Sequence, residues 1–203
     1  MNHPCGDLIP SLALGLVTVA AVYAETPTLE TKQRIETQIR ADLEAIQEAL
    51  QKIDQQEESE RWDAWVKSSR RQARNLLSVV HRTPAENLPV VLTDLYVHSL
   101  TGSTQYPDSY QLERYLKELG ESAAGPLAAH YETAAPRAQE EILWTTGRLE
   151  LHDGLPLVRR GMTHELPRVR MAALSALRLI QGQAAREELY AFLNTEQDDI
   201  VLK

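Results

Sequence analysis

Cysteine is close to absent from this chain: Cys5 stands alone among 203 residues. That excludes an intrachain disulfide and a zinc site built on several thiolates. Phenylalanine is equally rare, with Phe192 the only one, and aromatic residues make up 5% of the chain. Net positive charge is missing as well. The formal charge is −8, which argues against non-specific nucleic-acid binding. The sequence holds no glycine-rich phosphate loop and no Gly-x-Ser-x-Gly elbow. His164-Glu165 opens like a zinc-protease motif, but Arg168 stands where the second histidine would have to be. The six histidines show no metal-ligand spacing, and Asp94 with His98, one helical turn apart, reads as a surface pair. Nothing here calls for catalysis, a metal or a cofactor, so the chain reads as non-enzymatic.

What the sequence does contain is Ala, Leu, Glu, Gln and Arg in abundance, all good helix formers. No segment alternates with period two, so an all-α fold is expected. Residues 8–24 carry no charge and end in Val22-Tyr23-Ala24, a small-x-small pattern that suits signal-peptide cleavage before Glu25. The leading segment lacks Lys and Arg, and the run is short for a bilayer span. A cleaved signal, an uncleaved anchor and a buried N-terminal helix are the three readings of residues 1–24. Export to the periplasm or anchoring in the inner membrane is the preferred one, with a cytoplasmic location as the alternative.

Residues 28–82 contain neither Gly nor any Pro, and they predict one long helix or two. Ile39, Leu43, Ile46, Leu50 and Ile53 follow steps of four, three, four and three, an average of 3.5 that keeps one seam facing a partner helix. The seam suits self-association as a coiled-coil-like stalk over residues 25–82, or packing within the chain. Charge changes sign along the way. Residues 25–60 hold ten acids and four bases, whereas residues 61–82 hold Arg61, Lys67, Arg70, Arg71, Arg74 and Arg82 against Asp63 alone. Such a basic stretch suits an acidic protein, anionic lipid or nucleic acid, but it is more often a solvated face. Trp62 and Trp65 share one side and are expected to seat the helix in a core.

Pro84 and Pro89 mark a boundary, and residues 101–109 mark a second. Beyond them the chain repeats. A shift of 31 residues places Pro136 on Pro167 and then Asp198, Leu127 on Val158 and Leu189, and Tyr131 on Met162 and Leu193. Each copy predicts a helix, a tight turn and a second helix that opens with proline, where a missing N–H costs no intrahelical bond. His152-Asp153-Gly154 reads as a turn between copies, with Asp153 capping the next helix.

This pattern resembles the HEAT-repeat family, in particular the short bacterial repeats similar to phycobilisome-lyase-type proteins. The likeness rests on residues 153–180, with their Pro-x-Val-Arg and Ala-Ala-Leu-x-Ala-Leu helix, and extends over about residues 123–203. It implies a short α-solenoid over residues 84–203 whose second helices line a partner-binding surface. Val169, Ala172, Ala173, Ala176, Leu177 and Ile180 form the predicted apolar arc of one such helix. Arg168, Met171, Ser175 and Arg178 lie off it, with Arg137, Glu140, Trp144 and Gly147 as counterparts 31 residues earlier. Arg137, Trp144, Arg168 and Arg178 are therefore candidate partner contacts, since Trp and Arg are favoured at interface hot spots. The plainer alternative has Trp144 sealing an edge and the arginines solvated. The last copy is cut short at Lys203, which adds Phe192 and Ile200 as candidate contacts at an uncovered end. The function expected is that of a protein–protein adaptor of the bacterial cell envelope. The alternatives are a cytoplasmic or organellar scaffold with a hydrophobic docking helix, and an accessory subunit of an enzyme or lyase complex.

Overall fold

The computed structural model describes residues 26–53, 60–100 and 109–194, the side chains of residues 52–53 and 60–65 excepted. Residues 1–25, with Cys5 and the uncharged run, and Ile200 lie outside what is described, as do the side chains of Ile53, Trp62 and Trp65. Nine α-helices follow in order among the described residues, with no strand: α1 (Leu29–Ile53), α2 (Glu60–Arg82), α3 (Leu88–Leu100), α4 (Ser109–Leu119), α5 (Ala124–Tyr131), α6 (Pro136–Arg148), α7 (Leu155–Met162), α8 (Pro167–Leu179) and α9 (Gln183–Leu193). Among these residues no helix is long and apolar enough to cross a membrane.

α1 and α2 form an antiparallel hairpin. Lys32 Nζ donates to the carbonyls of His81 and Thr83, 2.8 Å each, so α1 supplies a cation to the C-terminal end of α2. Further along, Arg70 donates to Gln47 at 3.2 Å. The expected seam is used inside the chain. Ile39 is 0% exposed and Ile35 equally so; both join Leu76 and Val80 in the core that continues through Leu127 and Val158 to Phe192. Leu43 packs on that same core. Ile46 and Leu50 are half-buried. A seam whose leading residues are already covered cannot hold a second copy at Ile39. The position of the hairpin is fixed by Asp42, which accepts Tyr115 Oη at 2.5 Å, Gln38 Nε2 at 3.1 Å and Arg114 Nη1 at 3.3 Å, tying α1 to α4.

The 31-residue repeat is visible in the helix bounds. α5 shifted by 31 residues coincides with α7, and α6 coincides with α8. Pro136 and Pro167 occupy the first turns of α6 and α8, behind Ala135 and Leu166 in extended backbone, as the residue before proline requires. The predicted apolar arc of α8 is buried at all six positions. Small residues let neighbouring helices come close. A methyl group on Gly147 would lie 2.6 Å from Ala176 Cα, and one on Gly161 would lie 2.8 Å from Leu143 Cδ1. α9 begins after Gly182, whose φ of 126° is backbone that a side chain would strain.

Asp153 does not cap α7. No side chain caps that helix, and the donors of the preceding turn are taken by Glu121 instead: His152 N–H donates to its Oε1 at 2.9 Å and Asp153 N–H to its Oε2 at 3.0 Å. A carboxylate reaches both donors at once, which a residue inside the turn cannot.

Candidate interaction surface

α6 and α8 lie side by side and turn one face into the core, so their remaining faces form a continuous surface. On α6 the outward residues are Arg137, Glu140, Glu141, Trp144 and Arg148; on α8 they are Arg168, Met171, Ser175 and Arg178. The two rows are joined across the helices. Arg168 Nε stands 2.7 Å from Glu140 Oε1, a charge contact rather than an aligned hydrogen bond, and the Arg168 side chain remains 56% exposed.

One end of the surface rests on a polar cluster. Arg148 grips Glu113 of α4 with two hydrogen bonds of 2.8 and 2.7 Å, and donates a third, of 2.9 Å, to Thr145 Oγ1. Thr145 Oγ1 in turn lies 2.5 Å from the Tyr96 hydroxyl in the core. Paired, planar donors on a carboxylate hold orientation as well as charge. Burial pushes the Tyr96 phenol up to about 12, opposed by its bond to Thr145. The cluster ties α3, α4 and α6 together and keeps the Arg148 charge matched.

The first helices carry their own links between units. Arg160 of α7 pairs with Glu132 at the end of α5, and Arg159 pairs with Glu188 of α9 at 2.6 Å. Asp94 pairs with His130 at 2.6 Å, joining α3 to α5, while His98 Nδ1 lies 2.7 Å from the Asp94 carbonyl. The Asp94 carboxylate is thus turned to His130, not to a shared ligand with His98. Among the described residues no three His, Cys, Asp or Glu side chains are grouped so as to hold a metal ion. These contacts join residues 28 to 36 positions apart in sequence. Nothing in a single sequence marks them except the recurrence of Arg and Glu at about the repeat length.

The sequence-derived contacts fare differently from one another. Arg137 is exposed. Trp144 is half-buried and packs on the core with one side while the other faces outward. Arg168 is exposed but committed to Glu140. Arg178 is exposed and occupies on α8 the position that buried Gly147 occupies on α6, the side towards which the next second helix stacks. Gly147 is therefore interior and no part of the surface. Phe192 is only 8% exposed and belongs to the core, so it is not available to a partner. Sequence reasoning gave Met171 no role, yet it is 40% exposed between Arg168 and Arg178. Its spacing from them, three and seven residues, was the available signal.

Comparison with known proteins agrees with this geometry. Residues 125–203 match the family model for HEAT repeats. None of the curated proteins and none of the solved structures matches the chain. The matched segment covers α6, α7, α8 and α9 and nearly all of α5. Residues 125–203 are a HEAT-repeat segment, a kind of repeat that generally mediates protein–protein interaction.

Proposed function

We propose that the protein is a non-enzymatic adaptor of the bacterial cell envelope, which captures a protein partner on the outward face of α6 and α8. The observation that carries the reading is the arrangement of Trp144, Met171 and Arg137 on adjoining second helices. A half-buried indole and an exposed thioether offer apolar anchoring, and an unburied guanidinium beside them offers direction. The uncharged run at residues 8–24 supports the envelope location, as signal or as anchor.

The test is site-specific photo-crosslinking of the full chain with the reactive group at position 171, followed by mass spectrometry of the captured species. A discrete cross-linked protein, lost in Trp144→Ala with helical content retained, is the expected result. Normal capture by Trp144→Ala, or unfolding of that variant, would place the indole in the core and the docking face elsewhere. N-terminal sequencing of the exported protein separates a mature chain beginning at Glu25 from an anchored one that keeps residue 1.

A further inference from the structure

α2 turns Val66, Ala73, Leu76 and Val80 into the core. At 100° per residue Lys67, Arg71, Arg74 and Arg82 fall on the opposite side of the same helix, within about 80° of one another. All four are exposed. They form a strip roughly 22 Å long at the helical rise per residue. Arg82 Nε donates to the Ser78 carbonyl at 3.1 Å, which lays its guanidinium back along the strip. Among the described residues no carboxylate pairs with Arg71 or Arg74. The chain as a whole carries −8, so the strip is a local reversal of sign. Salt screens charges beyond about 8 Å, so a surface resting on the strip responds to these cations and not to the net charge.

The shape of the strip narrows the choice of occupant. It is one convex helix face with no groove, which suits a broad anionic surface better than an inserted peptide side chain. The start of α1 lies at its Arg82 end. Lys32 Nζ, bonded to the His81 and Thr83 carbonyls, holds the first turns of α1 at that end. Leu29 in the opening turn is 66% exposed, and the uncharged run ends at Ala24, five residues upstream. An apolar segment alone or a basic patch alone binds a bilayer weakly and reversibly; stable attachment takes two such signals together.

We propose that Lys67, Arg71, Arg74 and Arg82 of α2 rest on the anionic headgroups of a phospholipid membrane. This contact does not depend on the membrane reading of residues 8–24, which would add a second, apolar signal. Cosedimentation of the full chain with vesicles separates the two signals. Vesicles containing phosphatidylglycerol should bind about tenfold more tightly than vesicles of phosphatidylcholine alone, a preference that fades with added salt. Arg71→Glu/Arg74→Glu should abolish the preference, while Arg71→Lys/Arg74→Lys keeps it, with circular dichroism checking that each folds. Equal binding to both vesicles would overturn the strip while leaving the apolar run as the anchor. An unchanged preference in the Glu variant would also overturn it. So would Arg71- and Arg74-dependent binding to an oligonucleotide or to polyglutamate without any lipid preference.

Discussion

Gly147 and Ala176 meet backbone to backbone where α6 lies against α8, close enough that a methyl group on Gly147 would stand 2.6 Å from Ala176 Cα. Alanine is the better helix former by about 1 kcal/mol, so propensity alone favours Gly147→Ala. The neighbouring atom is main chain, however, and cannot step aside as the end of a long side chain could. Overpacking of this kind costs roughly 1–3 kcal/mol, and the net effect expected is a loss of about 1–2 kcal/mol. Gly125, in the first turn of α5, has open space where a methyl would go. Gly125→Ala should therefore gain up to about 0.5 kcal/mol. Denaturant unfolding of the two variants against wild type, the same chemical change with opposite sign, checks the packing assignment.

The burial of Tyr96 predicts an alkaline limit to stability. Burial, partly offset by the Thr145 bond, pushes its phenol up to about 12, against about 10 in an unfolded chain. Folding favours the neutral form, so this contribution is complete below about pH 10 and is lost as pH rises towards 12. Across that window the slope is about 1.4 kcal/mol per pH unit for each such tyrosine. Tyr115 is raised in the same direction by burial and by its bond to Asp42, and Tyr131 by burial. Phenolate absorbance should show delayed ionisation that coincides with loss of helix. In Tyr96→Phe one delayed proton should vanish. Ionisation of every tyrosine near pH 10 with the fold intact would contradict the burial.

How much of this was legible beforehand follows the physics of each feature. Pro136 and Pro167 announced α6 and α8 because proline restricts the backbone locally, and the 31-residue shift reproduced the helix bounds without adjustment. The partner of the Ile39 seam was not legible, because a 3.5-residue period says that a helix faces something apolar and not whose helix it is. Gly147 was placed on the surface because equal positions on α6 and α8 were given equal surroundings. The surroundings differ: α8 packs against Gly147 and buries it, while Arg178 is exposed. Phe192 was assigned to an uncovered end, but α9 packs it against its own unit. Polar links such as Arg148 to Glu113 were illegible because they depend on the rotation of one helix against another.

The use of Ile39 inside the chain has a direct consequence. Ile39→Lys would bury an unpaired ammonium among Ile35, Leu76 and Val80, costing several kcal/mol or the fold itself. Were the seam an interface between copies, the same change would yield a folded monomer from an oligomer. Sedimentation velocity with circular dichroism should show loss of helix and cooperativity in Ile39→Lys, with wild-type unfolding midpoints independent of protein concentration.

Glu121 and His152 join three successive units, and the strength of that joint can be measured. The Glu121 carboxylate accepts the main-chain N–H groups of His152 and Asp153, donors that the tight turn cannot satisfy itself. The His152 ring continues outward, with Nε2 2.8 Å from the Gln181 carbonyl at the end of the following unit. Charge-assisted bonds to orphan main-chain donors at a helix start are worth about 1–2 kcal/mol, and this site is solvent-accessible, so the lower half of that range applies. Glu121→Ala should destabilise by about 1 kcal/mol and speed hydrogen exchange at the His152 and Asp153 amides. Asp153→Ala should change stability by less than about 0.5 kcal/mol, because its exposed carboxylate caps nothing. A larger loss for Asp153→Ala than for Glu121→Ala would return the cap to the turn's own aspartate and remove this link between units.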